Sequence, residues 1–385
     1  MKFIHTADWH LGKLIQGTYM TEDQRYVLQQ FIKAVELERP DAVIIAGDLY
    51  DRAIPPTEAV DLLDELLVHL VKGLNIPVLA ISGNHDSPDR LGFGTKIMEG
   101  HGLHLAGQFR KELNPVILHD AYGEVHFYLV PYADPAQVRF MLENDAIKTH
   151  DDAMKAIIES INLMKDPKAR HVFVGHAFVT PHGEKQDNTS DAERPLSIGG
   201  AEFVHADYFR EFHYSALGHL HQAHFVLQDN IRYAGSPLKY SISEQHHEKG
   251  FYIIDLAGDG KVTVEKRNLV PLHDMRRVEA TIEEIEQHVI SEDYVYVTLL
   301  NENPVLFPME KVRSVYPNAL HVERKVILGS GLNLAENGVN RRQMDQVSLF
   351  STFYAEVKGI PLNEEKQRLF QDIYAEVLRA EGEAG

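Results

Sequence analysis

The sequence predicts an α/β layered domain over most of its length, then a small α+β unit, then two C-terminal helices. Three observations predict it. From the N-terminus to about Asn268, short apolar runs alternate with stretches of helical spacing, the mark of strands and helices stacked in layers. From about His273 to Lys325 the pattern changes to brief strands and short helices. Beyond a Gly- and Asn-rich stretch, two segments carry apolar residues along one helical face.

Phe3-Ile4 opens the first strand. Tyr26 to Glu38 repeats Val27, Phe31 and Val35 at helical spacing and stops before Pro40, which cannot continue a helix. Ala42 to Ala46 is a buried-strand run, Val60 to Leu70 a helix and Val78 to Ile81 another strand. Further strands are expected at Val125 to Val130, Val172 to Val174, Tyr214 to Leu217 and Tyr252 to Asp255. Thr180 to Gly200 is polar, holds Pro181, Pro195, Gly199 and Gly200, and reads as a long surface loop of the kind that is often functional. In the small unit, strands are expected at Val278 to Ala280, Val295 to Leu299 and Ala319 to Val322, with helices at about Ile282 to Val289 and Met309 to Val315. Gly329 to Gln346 reads as a linker. The first C-terminal helix carries Val347, Phe350, Phe353, Tyr354 and Val357. The second follows Asn363, an N-cap with Glu364 and Glu365 behind it, and carries Leu369, Phe370, Ile373, Tyr374, Val377 and Leu378.

Composition narrows the function. A chain of 385 residues has room for two or three folding units. No apolar run approaches the roughly 18 residues of a membrane-spanning helix, and Met1 to His10 lacks the apolar middle of a secretory signal. The expectation is a cytoplasmic protein without a membrane partner. The absence of cysteine excludes disulfides, thiolate metal sites and cysteine nucleophiles. A formal charge of −19 is awkward for a nucleic-acid enzyme, whose affinity comes from lysine and arginine, unless bound cations or a partner supply positive charge. The clusters Arg110-Lys111, Arg276-Arg277, Arg324-Lys325 and Arg341-Arg342 read as solvated faces, and Arg52 and Arg90 as members of surface ion pairs. The 22 histidines are more telling, because imidazole is the commonest side-chain metal ligand.

Five expected strands end at metal-competent residues. Asp8 and His10 follow the first, two apart, so that both lie on one side of an extended segment. Asp48 follows Ala42 to Gly47; Asn84, His85 and Asp86 follow Val78 to Gly83; His176 follows Val172 to Gly175; His219 and His221 follow Tyr214 to Gly218. In four of these five a glycine comes directly before the first polar residue, which permits a tight turn or a close backbone approach. Taken singly, an Asp-x-His is weak, a Gly-Asp is usually a turn, and a Gly-His is usually a surface or core histidine. Together, at strand ends that share one rim of a layered fold, they converge. Imidazoles, carboxylates and one amide oxygen suit two divalent ions, Mn²⁺, Fe²⁺ or Zn²⁺ before Mg²⁺. Two such ions over Asp8 and Asp48 leave an excess of positive charge for a phosphodiester anion. Two ions roughly 3.5–4 Å apart, bridged by a carboxylate, activate water and steady the attacking and leaving oxygens.

Asp8-Trp9-His10, Gly47-Asp48-Leu49-Tyr50-Asp51, Gly83-Asn84-His85-Asp86, Gly175-His176 and Gly218-His219-Leu220-His221 together resemble the signature of the calcineurin-like metallophosphoesterases. His5 to Gly12, Asp51-Arg52-Ala53 with Pro55, Glu193-Arg194-Pro195-Leu196-Ser197 with Gly199-Gly200, and Gly235 to Ser241 resemble, more narrowly, the bacterial SbcD nuclease subunits. The resemblance is dense in the first domain and one of layout in the C-terminal units.

It implies a layered β-sandwich metallophosphoesterase domain at 1–270, a capping domain at 271–328, a linker at 329–346 and a partner-binding helical segment at 347–385. By the same resemblance Asp8, His10, Asp48 and His221 hold one ion, and Asp48, Asn84, His176 and His219 the other, with Mn²⁺ the expected metal. His85 then serves the leaving 3′ oxygen, oriented by Asp86. The implied activity is double-strand 3′-to-5′ exonuclease and single-strand or hairpin endonuclease in DNA repair, recombination and replication. The implied partners are DNA, an SbcC-like ABC-type ATPase and a second copy of the chain in a heterotetramer. Two other readings stay open: a metallophosphatase on a small or protein substrate, and a metal-free scaffold within a repair complex.

Overall fold

The computed structural model describes residues 1–184, 189–193, 196, 202–325, 345–358 and 360–382. The chain divides into two compact units. The first holds Met1–Val278, Ile290–Tyr296 and Tyr316–His321; the second holds Glu279–Val289, Val297–Val315 and Val322–Gly385.

The first unit is a sandwich of two six-stranded sheets. One sheet runs, in spatial order, Val262–Asn268, Gly250–Leu256, Lys2–Thr6, Ala42–Ala46, Val78–Ile81 and Leu103–Ala106. The last four are mutually parallel, and Lys2–Thr6 pairs antiparallel with Gly250–Leu256. The other sheet runs His224–Val226, Gln228–Tyr233, Tyr214–Gly218, Arg170–His176, Gly123–Val130 and Val116–Asp120, with a parallel centre and antiparallel edges.

Period-two alternation assigns the layers. Phe3, Ile44, Leu79 and Ile81 of the first sheet face Phe127, Val172, Val174 and Ala216 of the second, closing a dry inter-sheet core. The alternate residues Ile4, Val43, Ile45 and Val78 pack outward on Val27, Phe31, Leu62 and Leu66 of helices Thr21–Glu38 and Thr57–Val68. On the far side Tyr128, Phe173 and Leu217 pack on Val138, Ile157 and Ile161 of helices Pro135–Leu142 and His150–Met164. A central strand such as Ala42–Ala46 is buried on both faces, which is why its residues read as a continuous apolar run.

The first helix begins at Thr21, ahead of the expected Tyr26, because its polar first turn is itself buried: Asp23 and Gln24 lie inside. It ends where Arg39 turns left-handed before Pro40. The expected loop from Thr180 to Gly200 is not simply superficial, since Ser190 and Leu196 are buried; residues 185–188, 194, 195 and 197–200 lie outside the described set.

In the second unit, helix Ile282–Ile285 opens on a capping box between Thr281 and Glu284 and stops short of the expected Val289. A second short helix spans Pro308–Arg313. The chain passes between the units within strands Met275–Ala280 and Tyr294–Leu299, and the third strand of that small sheet is His321–Arg324, later than expected because Ala319 closes a turn on Tyr316. Helices Gln346–Lys358 and Glu364–Gly382 meet where Phe350 stacks on Phe370 with ring centroids 3.9 Å apart. The expected linker at 329–346 lies outside the described residues except for its last two. Among the described residues, no helix is long and apolar enough to cross a membrane.

Candidate metal centre

Parallel pairing aligns strand ends. Thr6 lies beside Ile45, Ala46 beside Ile81, and Gly218 beside His176, so the loops that follow open on one rim. The segments after the first two strands then zip together: Asp8 N–H donates to Gly47 O at 3.0 Å, His10 N–H to Asp48 O at 2.9 Å, and Leu11 N–H to Leu49 O at 2.9 Å. Gln24, from the buried helix turn, clamps the first segment. Its Oε1 accepts Gly12 N–H at 3.0 Å, and its Nε2 donates to Trp9 O at 3.1 Å and His10 O at 2.7 Å.

The cost of the arrangement shows in the backbone. Asp8, His10, Asp48 and His219 have φ of 53°, 46°, 50° and 110°, a region that side chains rarely enter and that persists where surrounding contacts enforce it. The glycines before the polar residues serve close approach. A Cβ on Gly83 would collide with the Asp48 carboxylate, and one on Gly218 with the carbonyl of Ala46.

Donor atoms converge on Asp48. Its Oδ2 lies 3.5 Å from His10 Nε2 and 3.4 Å from His176 Nε2, while its Oδ1 accepts His85 N–H at 2.9 Å. His10 Nε2 is 3.1 Å from His221 Nε2, and His176 Nε2 is 3.0 Å from Asn84 Oδ1. Asp8 Oδ1 accepts His219 N–H at 2.9 Å, and the His219 ring packs with its centroid 5.5 Å from that of His176. Tautomers are set from behind: Ala46 O accepts His176 Nδ1–H at 2.9 Å, and Glu244 Oε1 accepts His221 Nδ1–H at 2.9 Å, so Nε2 of each is the ligand end.

The set fits divalent cations. Asp8 Oδ2 is buried with no hydrogen-bond partner, an expensive state for a carboxylate unless a cation meets it. Two imidazole nitrogens 3.1 Å apart in a buried place likewise suit a shared Lewis acid. Protons fill the same need. Burial, abetted by Asp48, pushes Asp8 well above the carboxylate range. His176, which burial alone would lower, is held at about 9 by the Asp48 carboxylate. Burial likewise raises Asp48, but His176 outweighs it and leaves that carboxyl well below its usual range.

His85 is buried with its ring centroid 4.6 Å from that of His10, and its Nδ1–H is accepted by Asp51 O at 2.8 Å. Asp86, expected to orient His85, is itself tied to the backbone of both loops. Its carboxylate accepts Leu49 N–H at 3.1 Å, Tyr50 N–H at 2.9 Å and Gly83 N–H at 2.9 Å, bracing two loops against each other. Burial and the nearby Asp48 push it up to about 7. The Asp51 carboxylate also stands near the ring, 4.0 Å from His85 Nδ1, 3.6 Å from His10 Nδ1 and 2.8 Å from Lys13 Nζ. His10, Asp51 and His85 form a second group with metal-competent spacing, but Lys13 already neutralises that carboxylate. Sequence reasoning reaches Asp51 only as part of a motif, and Gln24 and Glu244 carry no sequence signal at all. Arg52 and Arg90 are exposed, and Lys111 pairs with Glu143 at 3.2 Å, as a solvated face would.

Residues 1–223 match the family model of the calcineurin-like phosphoesterases, and residues 271–358 match a model described as the type 5 capsule protein repressor C-terminal domain. The chain is 34% identical to the SbcD subunit of the SbcCD nuclease of Staphylococcus epidermidis, over 99% of this chain and 100% of that protein. It is 32% identical to the SbcD subunit of the SbcCD nuclease of Staphylococcus saprophyticus, over 98% and 99%. Among solved structures, a dimetal phosphatase from Danio rerio aligns with a TM-score of 0.41 and 13% identity, covering 70% of this chain and 96% of that one.

Proposed function

The chain belongs to the calcineurin-like phosphoesterase family, in the line of SbcD nuclease subunits, and on that footing we propose that it hydrolyses DNA phosphodiesters at a centre for two divalent ions. The observation that carries the reading is the pair of imidazole nitrogens on either side of Asp48 Oδ2, at 3.5 and 3.4 Å. Asp8, His10, Asp48 and His221 hold one ion; Asp48, Asn84, His176 and His219 hold the other. The mixture of nitrogen and oxygen donors suits Mn²⁺, Fe²⁺ or Zn²⁺ before Mg²⁺, and the family resemblance makes Mn²⁺ the proposed metal. When bound, the ions supply Lewis acidity toward the phosphate and lower the pKa of water.

The chain's own residues do the rest. Asp51 O holds Nδ1–H of His85, leaving Nε2 to carry a proton to the departing 3′ oxygen. Asp86 keeps the loops of Asp48 and Asn84 in register. The reaction is read as 3′-to-5′ exonuclease on duplex ends and endonuclease on single strands and hairpins.

Because the relatives are named as the SbcD component of SbcCD, the proposed partner is an SbcC-like ABC-type ATPase, which also supplies basic surface to a chain of charge −19. The segment 347–385 docks on it through a helix face that leaves Leu369, Ile373 and Val377 exposed. The wider division into a nuclease domain at 1–270, a cap at 271–328 and a linker at 329–346 is part of the proposal, supported by a separate family match that starts at residue 271. So is the homodimer within a heterotetramer that the resemblance implies.

The full chain with Mn²⁺ is expected to cut duplex, hairpin and single-stranded DNA and to bind two ions by elemental analysis. Hydrolysis of p-nitrophenyl phosphate esters without DNA cleavage would favour a phosphatase; absence of tightly bound metal would favour a scaffold. Ending the chain at residue 333 is expected to preserve basal Mn²⁺-dependent endonuclease activity and abolish capture of the ATPase. A shortened chain that is insoluble or inactive on single strands would instead place the helices in the protein's own core.

A further inference from the structure

Behind His221 lies a buried ion pair, of which only the carboxylate's bond to the imidazole has been described above. Glu244 is wholly out of water, on the short turn Ile242–Glu244. Its Oε1 accepts His221 Nδ1–H at 2.9 Å and the Ser190 hydroxyl at 2.9 Å; its Oε2 accepts the Lys249 ammonium at 2.6 Å and Tyr240 N–H at 3.1 Å. Lys249 is itself buried and donates further to His221 O at 2.9 Å and Ser236 Oγ at 2.8 Å. From the other side Glu193 Oε1 accepts His221 N–H at 2.6 Å. One histidine is thus gripped at its ring, its amide and its carbonyl.

Stability does not account for this pair. Taking a carboxylate and an ammonium out of water is costly, and apolar side chains of similar volume commonly serve a fold as well or better. What apolar side chains cannot do is select a tautomer. A carboxylate only accepts, so His221 Nδ1 must carry the proton and Nε2 must present its lone pair, 3.1 Å from His10 Nε2. Carboxylate–histidine–metal relays work this way.

We infer that Glu244, with Lys249 as its counter-ion, is a positioning residue that fixes the ring and tautomer of His221 and thereby sets the affinity of one of the two ions. The inference rests on the two-ion reading above. Glu244 touches neither substrate nor ion; it acts through the imidazole. Ser190 donates to Glu244 and Glu193 accepts His221 N–H, so residues 190–193 and the metal centre share a brace.

Two neutral replacements of the pair separate positioning from packing. Glu244→Gln with Lys249→Met keeps an oxygen acceptor for Nδ1–H; Glu244→Met with Lys249→Met removes it. Mn²⁺ titration by calorimetry on the full chain, beside the thermal midpoint, reads both roles. The expected result is two intact folds, near-native binding of both ions in the glutamine variant, and one of two ions weakened about 10–100-fold in the methionine variant. Equal affinities in the two variants would overturn the inference. If only the methionine variant fails to fold, Glu244→Asp carries the comparison. It keeps the charge opposite Lys249, withdraws the acceptor by one methylene, and is expected to weaken the same single ion; undiminished binding there would overturn the inference too. Failure of both neutral pairs to fold would show that the pair serves the fold, and would overturn it as well. A wild-type chain that takes up no Mn²⁺ would sink the two-ion reading itself, a result distinct from any of these.

Discussion

The two ends of the sandwich treat charge in opposite ways. At the base, where Lys2–Thr6 and Arg170–His176 begin, the Asp120 carboxylate meets the N-terminal ammonium at 2.8 Å and the Arg170 guanidinium at 2.5 Å. Arg170 also donates to Leu256 O at 3.2 Å and Gly123 O at 3.3 Å, so charge there is matched from within. At the rim, where the same strands end, Asp8 Oδ2 and His10 Nδ1 are buried without a hydrogen-bond partner and the backbone is left-handed at four site residues. The base meets a partly exposed carboxylate with two cations, whereas the rim buries Asp8 completely with one oxygen unmet, which separates a structural cluster from a candidate metal site.

The largest expected effect breaks the rim. Asp48→Ala removes the carboxylate proposed to bridge the two ions, so bound metal and DNA cleavage are expected to be lost together while the fold persists. Mn²⁺ at a hundredfold excess over its Kd should stabilise the wild type by about 2.7 kcal/mol for each ion bound and leave this variant's melting point unmoved. Mn²⁺-dependent cleavage by Asp48→Ala at near-normal rate would dissolve the contrast between the two ends.

A smaller effect divides the rim itself. His85→Gln should retain both ions by elemental analysis and lose about 10²–10⁴-fold in rate, the usual worth of general acid–base catalysis. Metal loss in that variant would make His85 a ligand and end its separation from His10 and His221.

The smallest effect tests the base. The Arg170 guanidinium, and after it the N-terminal ammonium, hold the Asp120 carboxyl well below its usual range. A depressed folded-state value contributes stability that is fully present above the unfolded value near 4 and is lost as pH falls from there toward the folded value. Wild type should therefore lose its melting-point advantage over Asp120→Asn progressively as pH falls below about 4, with metal content and cleavage of the two alike at neutral pH. A change in metal content would show that the base is coupled to the rim after all.

The rim was legible in the sequence because its signal is local. An apolar run, a glycine and a polar residue stand next to one another in the chain, and parallel pairing brings such junctions together. Ala42–Ala46 followed by Gly47-Asp48 needed no knowledge of the rest of the fold. The brace behind the rim was illegible for the opposite reason. Gln24 stands in a polar first turn that looks solvent-facing, and Glu244 and Lys249 flank an ordinary-looking histidine pair. Each becomes meaningful only beside a backbone group distant in sequence, such as His10 O or His221 O. The backbone partners of Asp86 are hidden on the same ground: beside His85 in the chain, it accepts the distant Leu49 and Tyr50 N–H groups, while His85 donates to Asp51 O.

The pairing of Lys2–Thr6 with Gly250–Leu256 has a consequence in time. A ribosome adding roughly 5–20 residues each second completes Asp8 and His10 long before His221, and it reaches the antiparallel neighbour of the first strand still later. Contacts so distant along the chain form slowly, after their loop entropy has been met. A nascent chain can therefore display every carboxylate of the centre while lacking the imidazoles that complete it. The centre therefore cannot be assembled before the segment that carries His219 and His221 has been made.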